Sequence, residues 1–312
     1  MTNSDLEKMV DTTDEWIIKR TGISERRIIA DDQPIYSMAV EAAKQAVKDS
    51  GLSSEDIDLI IVSTSTPDYL TPTTSCIIQR EIGAVNAAAF DLGAACTGFL
   101  YGMTIAQQFI ETGYYKHVLL VGSECMSRVT DWTDRGNCVL FGDGAGAVVL
   151  GRVEDGYGIL SSYIGSDGTL GNKITIPCLY MPEEEKERRK NYNKKNTIWQ
   201  DGQEVFKFAV KMMPVATEKV IENTALKLED IKYIIPHQAN VRILEGAVKR
   251  LGVTFEKIYT TIRKFGNISS ASIPVAMAEA YKESCLKKGD HLVLVGFGGG
   301  LTWGSILVKW SK

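Results

Sequence analysis

Two apolar patterns alternate along this chain. Short runs such as Leu59-Ile60-Ile61 and Val118-Leu119-Leu120-Val121 are apolar at every position, the pattern of strands covered on both faces. Longer segments with helical spacing are predicted over 37–49, 202–223, 243–251 and 273–283. Gly51 and Gly252 stop the first and third of these, and Pro214 is expected to kink the second or mark its edge. The run 182–197, dense in Glu, Lys, Arg and Asn, interrupts the pattern and reads as a solvated loop or short exposed helix.

The pattern is written twice. Asp56-Ile57-Asp58-Leu59-Ile60-Ile61 resembles Asp230-Ile231-Lys232-Tyr233-Ile234-Ile235, and His117-Val118-Leu119-Leu120-Val121-Gly122 resembles His291-Leu292-Val293-Leu294-Val295-Gly296. Both pairs lie 174 positions apart. Gly144 to Leu150 closes the first copy and Gly304 to Val308 the second. Strands alternating with helices predict an α/β protein of two duplicated halves, 1–156 and 157–312, with sheets covered by helices. The period is far too long for a solenoid.

Cys96 is the leading candidate for chemistry. Ala87 to Leu92 reads as a buried strand, Gly93-Ala94-Ala95 as a turn, and Cys96-Thr97-Gly98-Phe99 as the opening of an apolar helix that runs through Ile110. A thiol at a helix start faces unpaired N–H groups and the positive end of the dipole, which favour thiolate. The same N–H groups can hold an oxyanion, so the arrangement suits acyl transfer. The repeat supplies partners. Pro236-His237-Gln238-Ala239-Asn240 follows a second-half strand, and Gly266-Asn267 falls 174 positions after the Cys96 turn. Strand ends of α/β sheets gather on one side, so Cys96 is expected to face His237 and Asn267. His117 and His291 sit at matching strand starts and read as structural.

Composition narrows the class. The chain has 312 residues, 44% of them hydrophobic, and a formal net charge of −4, with a mean hydropathy of −0.06. These values describe a globular chain with a large core and no bulk attraction to nucleic acid. No apolar run approaches the roughly 18 residues of a membrane span. The polar start does not read as a signal peptide, so the expected compartment is the cytoplasm. Six scattered cysteines show no CxxC pair and imply neither zinc nor a disulfide framework. Gly142-Asp143-Gly144-Ala145-Gly146 lacks the GxGxxG spacing and leads into a strand, and Gly298-Gly299-Gly300 has no P-loop lysine. No metal or resident cofactor is expected.

Three segments together carry a resemblance: Ala95-Cys96-Thr97-Gly98-Phe99, Pro236-His237-Gln238-Ala239-Asn240 and Gly266-Asn267-Ile268-Ser269-Ser270-Ala271-Ser272. They resemble the active-site motifs of the β-ketoacyl-acyl-carrier-protein synthase III family, thiolase-fold enzymes that initiate fatty-acid synthesis. Asp14-Glu15-Trp16-Ile17, Arg20-Thr21-Gly22-Ile23, Asp134-Arg135-Gly136, Phe141 to Gly146 and Phe297 to Gly300 extend the likeness over essentially the whole chain. The resemblance implies a layered α-β-α-β-α thiolase-like fold and a homodimer. It implies a ping-pong reaction in which Cys96 takes an acyl group from a short acyl-CoA, then condenses it with malonyl-acyl-carrier protein. His237 and Asn267 would stabilise the enolate left by loss of CO2. The N–H groups of Cys96 and Gly299 would form the oxyanion hole. Trp16, Arg20 and Arg135 would surround the CoA nucleotide and Asn240 its pantetheine arm. Lys207, Arg242, Lys249 and Arg250 would dock the acidic carrier protein. Thr71 stands where some members place a bulky aromatic of the acyl pocket.

The family pattern also carries a further N-terminal strand and Gly-rich turn, which this sequence does not show; the second half keeps the counterpart, at Gly158 to Tyr163. A form with that strand restored is expected to be more stable, and equal melting temperatures would overturn the expectation. Other readings stay open at this stage. A condensing enzyme of polyketide or quinolone metabolism shares the triad. A Cys-His-Asn hydrolase would need a C-G-[SA]-C-[WY] signature, which is missing. An inactive thiolase-fold partner subunit would not need the complete triad.

Overall fold

The computed structural model describes residues 1–192 and 196–312. Its first sheet is built from β1 (Leu59–Ser63), β2 (Ala88–Leu92), β3 (Val118–Cys125) and β4 (Asp143–Leu150). The order is β2-β1-β3-β4, with β4 alone antiparallel. The second sheet uses β5 (Gly158–Ser166), β6 (Ile231–Pro236), β7 (His291–Gly298) and β8 (Thr302–Lys309). Its order is β5-β8-β7-β6, and β6 and β7 are parallel.

Seven longer helices cover these sheets: α1 (Asp14–Thr21), α2 (Tyr36–Ser50), α3 (Thr74–Ile82), α4 (Gly98–Glu111), α5 (Gly202–Glu222), α6 (Val241–Leu251) and α7 (Ser272–Lys282). Strand alternation explains the layering. Leu59, Ile61, Val118 and Leu120 of the first sheet face inward, with Leu292, Leu294 and Ile306 of the second. Between them lie α4 and α7, through Phe99, Leu100, Met103, Ala276 and Met277. Ile60, Val62, Leu119 and Val121 face outward onto α2, through Ala39, Val40, Ala43 and Val47, and onto Ile78 of α3. Val293, Val295 and Leu307 face outward onto α5 and α6. This is the five-layer α-β-α-β-α arrangement of the thiolase-like fold, and it explains why the central strands are apolar at every position. Phe99 is fully buried between the two sheets, and its truncation to Ala would cost about 3–5 kcal/mol.

Three expectations need correction. The strand β2 is not buried: it is a sheet edge, with Ala88 exposed and Ala89 to Leu92 half-buried. Pro214 does not mark an edge of α5; it lies buried inside the helix. The charged run is not wholly solvated. Glu183–Arg188 is a short helix, and Glu185 and Arg189 are buried and paired with each other. Residues 193–195 of that run lie outside the described residues.

Candidate active site

The strand-to-helix turn after β2 presents Cys96 in a short 3-10 turn, Ala95–Thr97, directly ahead of α4. Ala95 holds a left-handed φ of 45°, an uncommon conformation for a residue with a Cβ. Gly298 closes the other side: a Cβ built there would stand 2.8 Å from the Cys96 backbone nitrogen and 3.1 Å from its Cβ. Only glycine permits that approach.

His237 follows β6 and is fixed by its backbone N–H, which donates to the Val295 carbonyl at 2.7 Å. Its ring meets Phe297 edge-on at 5.5 Å. Asn267 is placed by a parallel bridge to Phe141: its N–H donates to the Leu140 carbonyl at 2.9 Å, and its carbonyl accepts from Gly142 N–H at 3.0 Å. Its Oδ1 accepts from Ser269 N–H at 2.9 Å, which orients the amide and leaves Nδ2 as its donor.

Cys96, His237, Asn267 and Gly299 line one cavity of about 300 Å³. Trp16, Arg20, Asn240 and Arg242 line it as well. Arg135 is not among the lining residues, but its guanidinium lies 5.0 Å from the Trp16 ring, and that of Arg20 lies 5.7 Å from it. Asn240 caps α6 through Oδ1, which accepts from Arg242 N–H at 2.9 Å. Lys207, Lys249 and Arg250 are exposed and stand outside the cavity, Lys207 paired with Glu204 at 2.7 Å. Thr71 is exposed and does not line the cavity of its own chain.

The electrostatics differ from the expected thiolate. Burial pushes the Cys96 thiol up to about 12; a hydrogen bond from Ser269 opposes this, and the Glu124 carboxylate adds to it. Desolvation of a charge outweighs the favourable helix start in this pocket. Burial alone drives His237 down to about 3, so its ring is neutral near pH 7 and carries one N–H donor rather than a charge. Its Nδ1 finds no hydrogen-bond partner among the described residues.

Ser269, Phe297 and Gly298, present in the sequence motifs but assigned no role there, also line the cavity; Glu124, which contacts Ser269 behind it, was missed. Glu124 is the penultimate residue of an apolar strand, and a lone charged residue within such a run was the available signal.

The whole chain is similar to known proteins. The family model for 3-oxoacyl-[acyl-carrier-protein] synthase III matches residues 90–168, and the model for its C-terminal part matches residues 221–310. A β-ketoacyl-[acyl-carrier-protein] synthase III of Caldanaerobacter subterraneus subsp. tengcongensis is 54% identical, over 100% of this chain and 94% of that protein. Among solved structures, the 3-oxoacyl-[acyl-carrier-protein] synthase III of Aquifex aeolicus aligns with a TM-score of 0.92 at 44% identity, covering 99% of this chain and 95% of that one. The Thermus thermophilus enzyme aligns at 0.93 and 42% identity, over 100% and 95%.

Proposed function

This chain belongs to the β-ketoacyl-[acyl-carrier-protein] synthase III family, and from that premise we propose how its cavity carries out the condensation that initiates fatty-acid synthesis. Cys96 attacks the thioester carbonyl of a short acyl-CoA. The N–H groups of Cys96 and Gly299 hold the oxyanion, and collapse releases CoA and leaves acyl-Cys96. Malonyl-acyl-carrier protein then enters. Neutral His237 and the Asn267 amide donate to its thioester oxygen, so the electron pair left by departing CO2 resides on an enolate. That carbanion attacks the acyl-Cys96 carbonyl, the Cys96 sulfur leaves, and β-ketoacyl-carrier protein is formed.

The observation that carries this reading is the convergence of Cys96, His237 and Asn267, from three distant segments, on one cavity with Trp16 and Arg20 among its lining. A Trp flanked by two guanidiniums suits an adenine nucleotide, with stacking from the ring and paired donors for phosphate from Arg20 and Arg135. Asn240 is assigned to the pantetheine arm. Arg242, Lys249 and Arg250 share α6, which packs on α5 with Lys207; we read this surface as the carrier-protein dock, giving on-rate and salt sensitivity.

The chain is read as two halves, 1–156 and 157–312, and as one subunit of a homodimer. The open edge of β2, with half-buried Phe90 and Leu92, supports a strand-to-strand contact with a second copy. Light scattering that finds only monomer would overturn this. In such a pair Thr71 would reach the partner's cavity, where its small size leaves room for longer or branched primers. No helix among the described residues is long and apolar enough to cross a membrane. Six unbridged cysteines support a reducing cytoplasm.

Intact-protein mass spectrometry tests the reading. Acetyl-CoA is expected to add one acetyl group to the wild type and none to Cys96→Ala. The adduct should disappear as malonyl-carrier protein is consumed. A wild-type adduct that survives Cys96→Ala would overturn it.

A further inference from the structure

Glu124 is fully buried at the end of β3 and belongs to none of the ion pairs among the described residues. All of its oxygens are nevertheless engaged. Oε2 accepts from Ser65 N–H at 3.1 Å and from the Thr66 hydroxyl at 2.9 Å. Oε1 accepts from the Ser269 hydroxyl at 2.9 Å and the Ser270 hydroxyl at 3.0 Å. The Ser269 hydroxyl also lies 3.4 Å from Cys96 Sγ. Ser269 holds a left-handed φ of 48°, the conformation that Ala95 also adopts, and at Ser269 it sets the hydroxyl between sulfur and carboxylate.

A serine hydroxyl has a single proton, so it cannot donate to both neighbours at once. While it donates to Glu124, its lone pairs face the Cys96 S–H. We propose that Ser269 relays the Cys96 thiol proton to Glu124, making this buried carboxylate the base that generates the nucleophile. The Cys96 S–H bond breaks as an O–H bond forms on Ser269; the original Ser269 proton passes to Glu124 Oε1; the electron pair stays on sulfur. When CoA departs as a thiolate, return of that proton through Ser269 gives CoA–SH and restores the carboxylate.

The surroundings accommodate both protonation states. The Ser270 hydroxyl lies 3.0 Å from the Ser63 carbonyl as well as 3.0 Å from Glu124. With Glu124 ionised, Ser270 donates to it. With Glu124 protonated, the new O–H donates to Ser270, and Ser270 turns to the Ser63 carbonyl. No buried polar atom of the network is orphaned in either state. Burial raises the Glu124 carboxyl above the ordinary range, which suits a proton acceptor. The titratable groups around it are Cys96 across Ser269, Cys125 next in β3, and Asp143, which faces Cys125 across the β3–β4 ladder and is held by Ser127.

The inference rests on the reading of Cys96 as the nucleophile. The test measures the rate of Cys96 modification against pH, by iodoacetamide and by acetyl-CoA, with the adduct located by mass spectrometry. Glu124→Gln keeps the side-chain shape and removes the basic carboxylate; Ser269→Gly removes the relay and tolerates the positive φ. Each is expected to slow modification at neutral pH by about a hundredfold, with the rate recovering only at alkaline pH. The double variant should be no slower than the slower single one, because both break one path. If Glu124 merely repelled the thiolate, Glu124→Gln would react as fast or faster, with its profile moved to lower pH, and that result overturns the relay. Should Glu124→Gln fail to fold, unchanged kinetics in Ser269→Gly overturn it equally. A folded wild type that takes no label at Cys96 would instead sink the nucleophile assignment.

Discussion

The turn at Ala95-Cys96 and the turn at Ser269-Ser270 lie 174 positions apart, the spacing of the sequence repeat, and they share a backbone. Ala95 and Ser269 have φ of 45° and 48°, and the helices that follow begin at Gly98 and Ser272, again 174 apart. What faces each turn differs. Glu124, at the end of the first sheet's β3, packs its carboxylate against Ser269 and Ser270. At the same distance along the repeat, the second sheet's β7 carries Gly298, which lies bare against Cys96. One copy of the turn is filled by a carboxylate and the other is left as a cavity. A duplicated scaffold thus becomes a site when its two copies are filled unequally. The sheets differ at their margins too. Strand β8 carries β5 on its outer side, while the corresponding side of β4 has no strand partner among the described residues.

The largest test of the comparison truncates the equivalent side chain of each turn. Cys96→Ala is expected to abolish acylation, whereas Ser270→Ala, at the equivalent position, still forms acyl-Cys96 in the mass spectrometer. Equal loss in both would mean that the turns are not functionally distinct. Next come the donors. His237→Ala or Asn267→Ala should slow condensation with malonyl-carrier protein about 10²–10³-fold, with acyl-Cys96 accumulating because the first half-reaction needs neither. Stopped-flow acylation and steady-state rates separate the two steps. Gly298→Ala tests the bare side of the cavity. Its Cβ would meet Cys96 backbone at 2.8 Å, and overpacking against backbone should cost about 1–3 kcal/mol, read from chemical denaturation.

The smallest effect is in pH. His237 has an ordinary value of 6.5 and is held near 3 by burial. Below pH 6.5 the unfolded chain takes up a proton there that the folded chain refuses, so stability falls as pH drops from 6.5 toward 3. Glu124, raised by burial, acts in the opposite sense, losing stability as pH rises above 4.5. His237→Ser, which installs the residue found at the equivalent Ser63, removes only the first contribution. Its melting temperature should fall less than that of wild type between pH 7 and 5.5. An identical drop would assign the acid sensitivity to other groups.

Much of this was readable from residues. All-apolar runs at a fixed offset required strands covered on both faces, and Leu59 to Val62 are covered by α4 on one side and α2 on the other. Ala87 to Leu92 misled because an edge strand of small residues looks like a buried one until its neighbours are known. Pro214 does not mark a helix edge, because burial of the α5 face against the second sheet outweighs the hydrogen bond lost at proline.

The sequence by itself determined the alternation of strands and helices, the duplication, and the candidacy of Cys96, His237 and Asn267, because periodicity, breakers and residue chemistry are local properties of the chain. Only the tertiary structure decided that Thr71 stands apart from its own cavity, that the Cys96 thiol is held protonated, and that Glu124 lies two hydrogen-bonding contacts from its sulfur. Those depend on desolvation and on distances between residues 145 and 173 positions apart, quantities that exist only once the chain has packed.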